Sequence, residues 1–188
     1  MNGLLHKKCQ TEYFNISCDS SYKELGDCIV ECLSNTKCSK HTPVILCIGT
    51  DRATGDCLGP LVGEQLADYH NDYKVYGTLS EPVHALNLKE IVKHIKSEFA
   101  SPYIIAVDAS LGVRSHVGYV TFSEAPIAPG KGVNKKLPAI GDISITGIVN
   151  VSGQSSSVLQ STRLYTVMQL ANCIADSLKY AIDYLETF

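Results

Sequence analysis

The sequence predicts an α/β protein: a three-layer α/β/α sandwich with a mainly parallel central sheet. Two short apolar runs, Pro43–Ile48 and Pro102–Val107, have the continuous pattern of strands buried on both faces. Stretches with apolar residues every three or four positions alternate with the strand-like runs, which calls for right-handed crossovers. The 188 residues, 45% hydrophobic and 19% charged, are enough for one core without disulfide or metal staples. We therefore expect residues 1–188 to form a single domain.

Met1–Ser20 has no sustained period, so residues 1–20 are expected to form an N-terminal arm, loosely docked. From Tyr22 to Cys32, Leu25, Cys28, Ile29 and Cys32 keep the helical spacing. Strand Pro43–Ile48 comes next, followed by a small polar loop, Gly49–Gly55. A helix then begins near Cys57 with Leu58, Leu61, Val62, Gln65 and Leu66 on one face; Pro60 is tolerated because first-turn amides lack an intrahelical acceptor. Tyr73–Leu79 is a second strand. Asn87-Leu-Lys-Glu90 has the form of a capping box opening a helix that carries Ile91, Val92, Ile95 and Phe99.

Pro102–Val107 repeats the buried-strand pattern and ends at Asp108, and Gly118–Phe122 and Ile143–Val151 are further strands. Ala125–Leu137, rich in Pro, Gly and Lys, is expected as a surface loop near the site. Val158–Leu185 is helical throughout, with Ser155, Ser156 and Ser157 available to cap its start.

Composition narrows the function. A formal net charge of -3 gives no basic field for nucleic acid or anionic lipid, and no apolar run is long enough for a membrane span or a secretory signal. A cytoplasmic protein with a neutral or cationic partner is expected, with a second copy of the chain left open as a partner. The eight cysteines are then reduced thiols. Cys28 and Cys32, on an apolar stripe without a C-x₂-C knuckle, are small core residues rather than zinc ligands.

In an open parallel sheet, ligands collect at the carboxyl ends of the strands. Asp108 terminates one central strand, Asp56 follows the other across its loop, and Asp51 is a third acid nearer that strand's end. Two close carboxyls cannot both ionise cheaply, so one keeps a proton while the other activates water. The structural alternatives are a helix N-cap for Asp56 and a loop acid capping nearby amides for Asp108. The glycines of Gly49–Gly63 match neither phosphate-loop pattern, and no G-x-S-x-G elbow is present. Cys57 at a helix N-terminus would have a lowered pKa and could serve as a nucleophile, although a buried thiol is the commoner role. His84 and His116 are the histidines expected near the acids, where either could complete a zinc or nickel site. His6, His41, His70 and His94 are expected at the surface. No cofactor or metal is assigned.

Gly49-Thr-Asp-Arg-Ala-Thr-Gly-Asp-Cys-Leu-Gly-Pro-Leu-Val62 resembles the loop of the germination protease, which also ends in Asp-x-Leu-Gly-Pro-Leu-Val. Val107-Asp108-Ala109 resembles the strand-end acid of that family, and Pro129-Gly-Lys-Gly-Val133 with Asn134 its Pro-Gly-x-Gly-Val loop. The stretch from Pro43 onward, including Glu81-Pro-Val-His84-Ala-Leu-Asn87, is similar to the small sporulation proteins of the YyaC type. The resemblance implies a phosphorylase/hydrolase-like fold shared with hydrogenase maturation peptidases, a role in endospore formation and a forespore location. It implies hydrolysis of a protein or peptide substrate by Asp56 and Asp108, with Asp51, Glu81, His84, Gly130, Gly132 and Asn134 binding substrate. If the two central strands are parallel neighbours, Lys131, Lys135 or Asn134 from the loop after Pro129 is expected to overhang the pocket shared by the two acids. The chain is shorter than a germination protease and lacks its inserted segments, and the nickel-gripping Glu of the maturation peptidases falls on Asp56 or Cys57. Two alternatives follow: an inactive protein of the same fold that binds a partner, or a metal-dependent maturation-type peptidase.

Overall fold

The computed structural model describes residues 11–35, 41–69, 73–129, 138–153 and 158–187. Among the described residues the strands and α-helices follow in the order β1 (Glu12–Asn15), α1 (Ser21–Asn35), β2 (Thr42–Cys47), α2 (Leu58–Leu66), β3 (Lys74–Tyr76), α3 (Leu88–Glu98), β4 (Pro102–Gly112), β5 (Tyr119–Ser123), β6 (Ile143–Val151) and α4 (Leu164–Thr187). The six strands form one sheet in the order β1-β5-β6-β4-β2-β3. β6, β4, β2 and β3 are parallel, whereas β5 is antiparallel to β6 and β1 to β5. The expected sandwich with a mainly parallel sheet is what the chain forms.

Alternation along the buried strands builds the two faces. Ile45 and Cys47 of β2, Ile105 and Val107 of β4, and Ile143 and Ile145 of β6 meet Leu25, Leu58, Leu170, Ile174 and Leu178 from α1, α2 and α4. On the opposite face, Val44 and Leu46 with Ile104 and Ala106 meet Leu88 and Ile95 of α3. Each fully buried Leu or Ile contributes about 1.5–3 kcal/mol relative to exposure. Helix α3 covers the β2 and β4 half of its face. Two positions beyond Ala106 on that same face, the side chains turn polar, starting with Asp108.

Several elements differ from the sequence expectation. Residues 12–15, assigned to a loose arm, form an edge strand that buries Phe14 in the core. The strand expected over Tyr73–Leu79 is only Lys74–Tyr76, because Gly77 turns away at φ 93 with its backbone against the Cys47 carbonyl, where no Cβ fits. Asn87 caps no helical amide. Its Oδ1 accepts from the His84 N–H at 2.8 Å and its Nδ2 donates to the Pro82 carbonyl at 3.0 Å, so it ties down the preceding turn. Helix α4 starts only at Leu164, since the carbonyls of Val158 and Leu159 are engaged elsewhere; the proposed caps Ser155–Ser157 lie outside the described residues. Among the described residues no helix is long and apolar enough to cross a membrane.

Candidate active site

The site lies where β2 and β4 part. They are paired from Thr42↔Pro102 to Cys47↔Val107, and the last rung is the Ile48 N–H to the Val107 carbonyl at 2.7 Å. At Gly49 (φ 148) the chain leaves the sheet, loops outward and returns as a 3₁₀ turn, Thr54–Cys57, that leads into α2. The Thr50 N–H donates to the Asp56 carbonyl at 3.0 Å, closing the loop, and any Cβ on Gly49 would collide with that carbonyl. Gly59 abuts the Ile48 backbone just as closely, so α2 is seated directly on the end of β2. Leu58 fills the hollow over Gly147 of β6, where an added Cβ would come within 2.8 Å of its Cδ2. The Gly-Asp-Cys-Leu-Gly-Pro stretch is thus a device for pinning Asp56 above the strand ends.

A second support comes from the turn before α4. The Gly55 N–H donates to the Leu159 carbonyl at 2.7 Å, and the Asn150 side chain donates to the Val158 carbonyl at 3.3 Å and to the Thr162 hydroxyl at 3.1 Å. Asn150, Leu159 and Thr162 were not among the residues predicted from sequence. Their signal is only spatial.

Asp108 is not at the end of its strand. β4 runs on to Gly112 because β6 remains its partner as far as Val151, so Asp108 sits inside the ladder opposite Thr146, 6% exposed. Its Oδ1 accepts from the Ala109 N–H at 2.8 Å. Burial, reinforced by the negative charge of Asp56, pushes the Asp108 carboxyl well above the usual carboxylate range. Asp56 is also raised by burial, but His84 and a hydrogen bond from the Thr50 backbone favour its charged form. Asp56 therefore gives up its proton first, and its charge then keeps Asp108 protonated. The structure brings the two acids into one electrostatic unit. Asp56 caps no helix: the residues at the N-cap positions of the 3₁₀ turn and of α2 are Ala53 and Cys57, neither with a side-chain bond.

The remaining predicted residues separate. Asp51 is exposed on the loop beside Thr50, and its field reaches Cys57. His84 is half-buried and close enough to Asp56 to act on its charge. Glu81 is exposed, with its N–H on the Thr78 hydroxyl. Gly130, Lys131, Gly132, Asn134 and Lys135 lie outside the described residues. His116 stacks with Tyr13 and Tyr119, at 5.0 and 5.2 Å between ring centroids, which ties it to the β1 and β5 end of the sheet rather than to the acids. The lowered pKa expected for Cys57 is reversed: burial and the charges of Asp51 and Asp56 raise it, which removes the thiolate a cysteine nucleophile needs. Among the described residues no three His, Cys, Asp or Glu side chains are grouped so as to hold a metal ion, so the donors around Asp56 and Asp108 do not fit a three-ligand centre. The six described cysteines form no disulfide; Cys28 and Cys32 pack at the core margin, and Cys9 and Cys38 lie outside the described residues.

Next to Asp108 runs a row of hydroxyls that sequence reasoning also missed. Ser110 Oγ lies 2.9 Å from Thr146 Oγ1, which lies 2.7 Å from Thr121 Oγ1, spanning β4, β6 and β5. The alternation of Ile143-Ser-Ile-Thr146 could have signalled a polar sheet face.

Residues 13–177 match the family profile described as "Protein of unknown function (DUF1256)". The chain belongs to the DUF1256 family. It is 51% identical over 137 residues to the uncharacterized protein YyaC of Bacillus subtilis (strain 168), covering 72% of this chain and 67% of that protein. Its fold is similar to that of a [NiFe] hydrogenase maturation protease, HycI, from Thermococcus kodakarensis KOD1. That match has a TM-score of 0.50 at 18% identity and covers 81% of this chain and 99% of that one. At that identity the likeness is one of fold alone.

Proposed function

We propose that this protein is an endopeptidase that hydrolyses peptide bonds with Asp56 as general base and Asp108 as general acid. The observation that carries the reading is the Asp108 carboxyl buried within the β4–β6 ladder, where desolvation and the charge of Asp56 push its pKa well above the usual carboxylate range. An ionised Asp56 takes a proton from water as the water oxygen bonds to the scissile carbonyl carbon. The protonated Asp108 hydrogen-bonds the carbonyl oxygen and steadies the charge that develops there. When the C–N bond breaks, the proton on Asp56 passes to the departing amine. General acid and base catalysis contribute about 10²–10⁴-fold in rate. The resemblance of the Asp56 loop to the germination protease supports a setting in the forming spore, and small acid-soluble spore proteins are the first substrates to try. Incubating the purified chain with them should release fragments, and Asp56→Asn or Asp108→Asn should abolish that release. Fragments that persist in both variants, or no cleavage of any spore protein, would overturn the reading.

A further inference from the structure

Beyond Val107, β4 has a paired strand on one flank only among the described residues. Asp108–Gly112 pair with β6, whereas the β2 ladder has stopped at Cys47↔Val107. Along a strand, alternate residues present N–H and C=O to the same flank. The Val107 carbonyl faces β2, so Ala109 faces the vacated side; past the register shift at Ser110/Leu111 the Gly112 carbonyl still accepts from the Ser152 N–H on the β6 flank, so Leu111 also faces the vacated side, and among the described residues no strand continues there. The Ala109 N–H is taken by the Asp108 carboxyl. The hydrogen bonds of the described residues outside the ladders reach neither the Ala109 carbonyl nor the Leu111 N–H or carbonyl. This stretch is also where β4 passes from buried to half-buried.

We propose that this open flank receives the substrate as an added strand: an extended polypeptide whose main chain hydrogen-bonds to Ala109 and Leu111 and so passes beside the Asp108 carboxyl. The inference rests on the peptidase reading and supplies its substrate class, unfolded or locally extended polypeptide. Acceptors and donors spaced two residues apart are matched by another strand and by no compact small molecule. An incoming strand would continue the line of β2, and its first free rung falls immediately after the acid. The Asp108–Ala109 bond places that carboxyl at the head of the row, so main-chain pairing sets the register of the peptide bond against it.

The test separates binding from cleavage. The Asp108→Asn chain, with Asp56→Asn as a second version, is used to capture binders from a displayed pool of short, unstructured peptides of randomised sequence. Selected peptides are resynthesised with one backbone amide N-methylated at a time. Strand addition predicts that methylation weakens binding about tenfold or more at every second amide and is tolerated at the amides between. It also predicts that bound peptide slows hydrogen exchange of the Leu111 amide about tenfold or more. No enriched peptide, methylation effects without the two-residue period, or an unchanged Leu111 amide would each overturn the proposal. If the wild-type chain binds these peptides in that pattern and cuts none, the peptidase reading fails and the strand site stands.

Discussion

Strands β2 and β4 are neighbours with closely similar apolar runs, yet they end differently and carry their acids differently. β2 stops at Cys47 because Gly49 lets the chain turn out and Gly59 lets α2 sit on the strand end. Its acid, Asp56, arrives from outside the sheet on a 3₁₀ turn, half-exposed and supported by His84. β4 keeps β6 as a partner, so its acid stays within the ladder, where burial raises its pKa. The contrast teaches how one fold separates two chemically identical side chains: the one on a turn ionises first, and the one in the strand keeps its proton.

Removing either half of the contrast should have the largest effect. Asp56→Asn and Asp108→Asn should each lower the rate of peptide hydrolysis by about 10²–10⁴-fold while leaving far-ultraviolet circular dichroism unchanged. Moving the support of Asp56 should cost less. In Gly59→Ala the new Cβ meets the Ile48 carbonyl, forces α2 off β2 and destabilises the fold by about 1–3 kcal/mol, measured by urea unfolding, with activity reduced in proportion to the displacement of Asp56.

Protonation sharpens the comparison further. Activity should rise with pH as Asp56 ionises and fall as Asp108 loses its proton, a bell whose two limbs belong to the coupled pair. Stability should follow the sign of the shift. The Asp108 pKa is raised on folding, so its contribution is fully present below the unfolded carboxylate range and is lost as pH rises through the folded value. Thermal midpoints measured from acid to neutral pH should therefore decline in the wild type and decline less in Asp108→Asn, by on the order of 2–4 °C per kcal/mol recovered. The smallest effect is expected at Cys57, whose thiol is held neutral: Cys57→Ala should change peptide hydrolysis by less than about twofold, within the ±0.5 kcal/mol of a substitution outside the chemistry.

The sheet was legible because buried strands such as Pro43–Ile48 and Pro102–Val107 advertise themselves by continuous apolar runs, and α3 by its helical period. The two acids were legible because each lies close in sequence to the end of such a run. What stayed hidden depends on partners distant in the chain. Asp108 looked terminal because polarity begins there, but pairing with β6 carries the strand on. Asn87 had the residue type of a cap, and the Pro82 and His84 backbone claimed it instead. The Leu159 and Asn150 supports of the Asp56 turn join segments far apart in sequence, which no local pattern encodes. Cys57 was placed at a helix start, where a dipole lowers a pKa, but burial and two neighbouring carboxylates outweigh that effect.

The coupling of the acids can be measured directly by following the side-chain carboxyl ¹³C signals of Asp56 and Asp108 through a pH titration, in the wild type and in Asp56→Asn. The account predicts that Asp108 titrates well above the usual carboxylate range, that Asp56 ionises before it, and that Asp56→Asn lowers the Asp108 pKa while burial still keeps it raised. An Asp108 that titrates as an ordinary carboxylate, or one whose raised pKa is unmoved by Asp56→Asn, would contradict it.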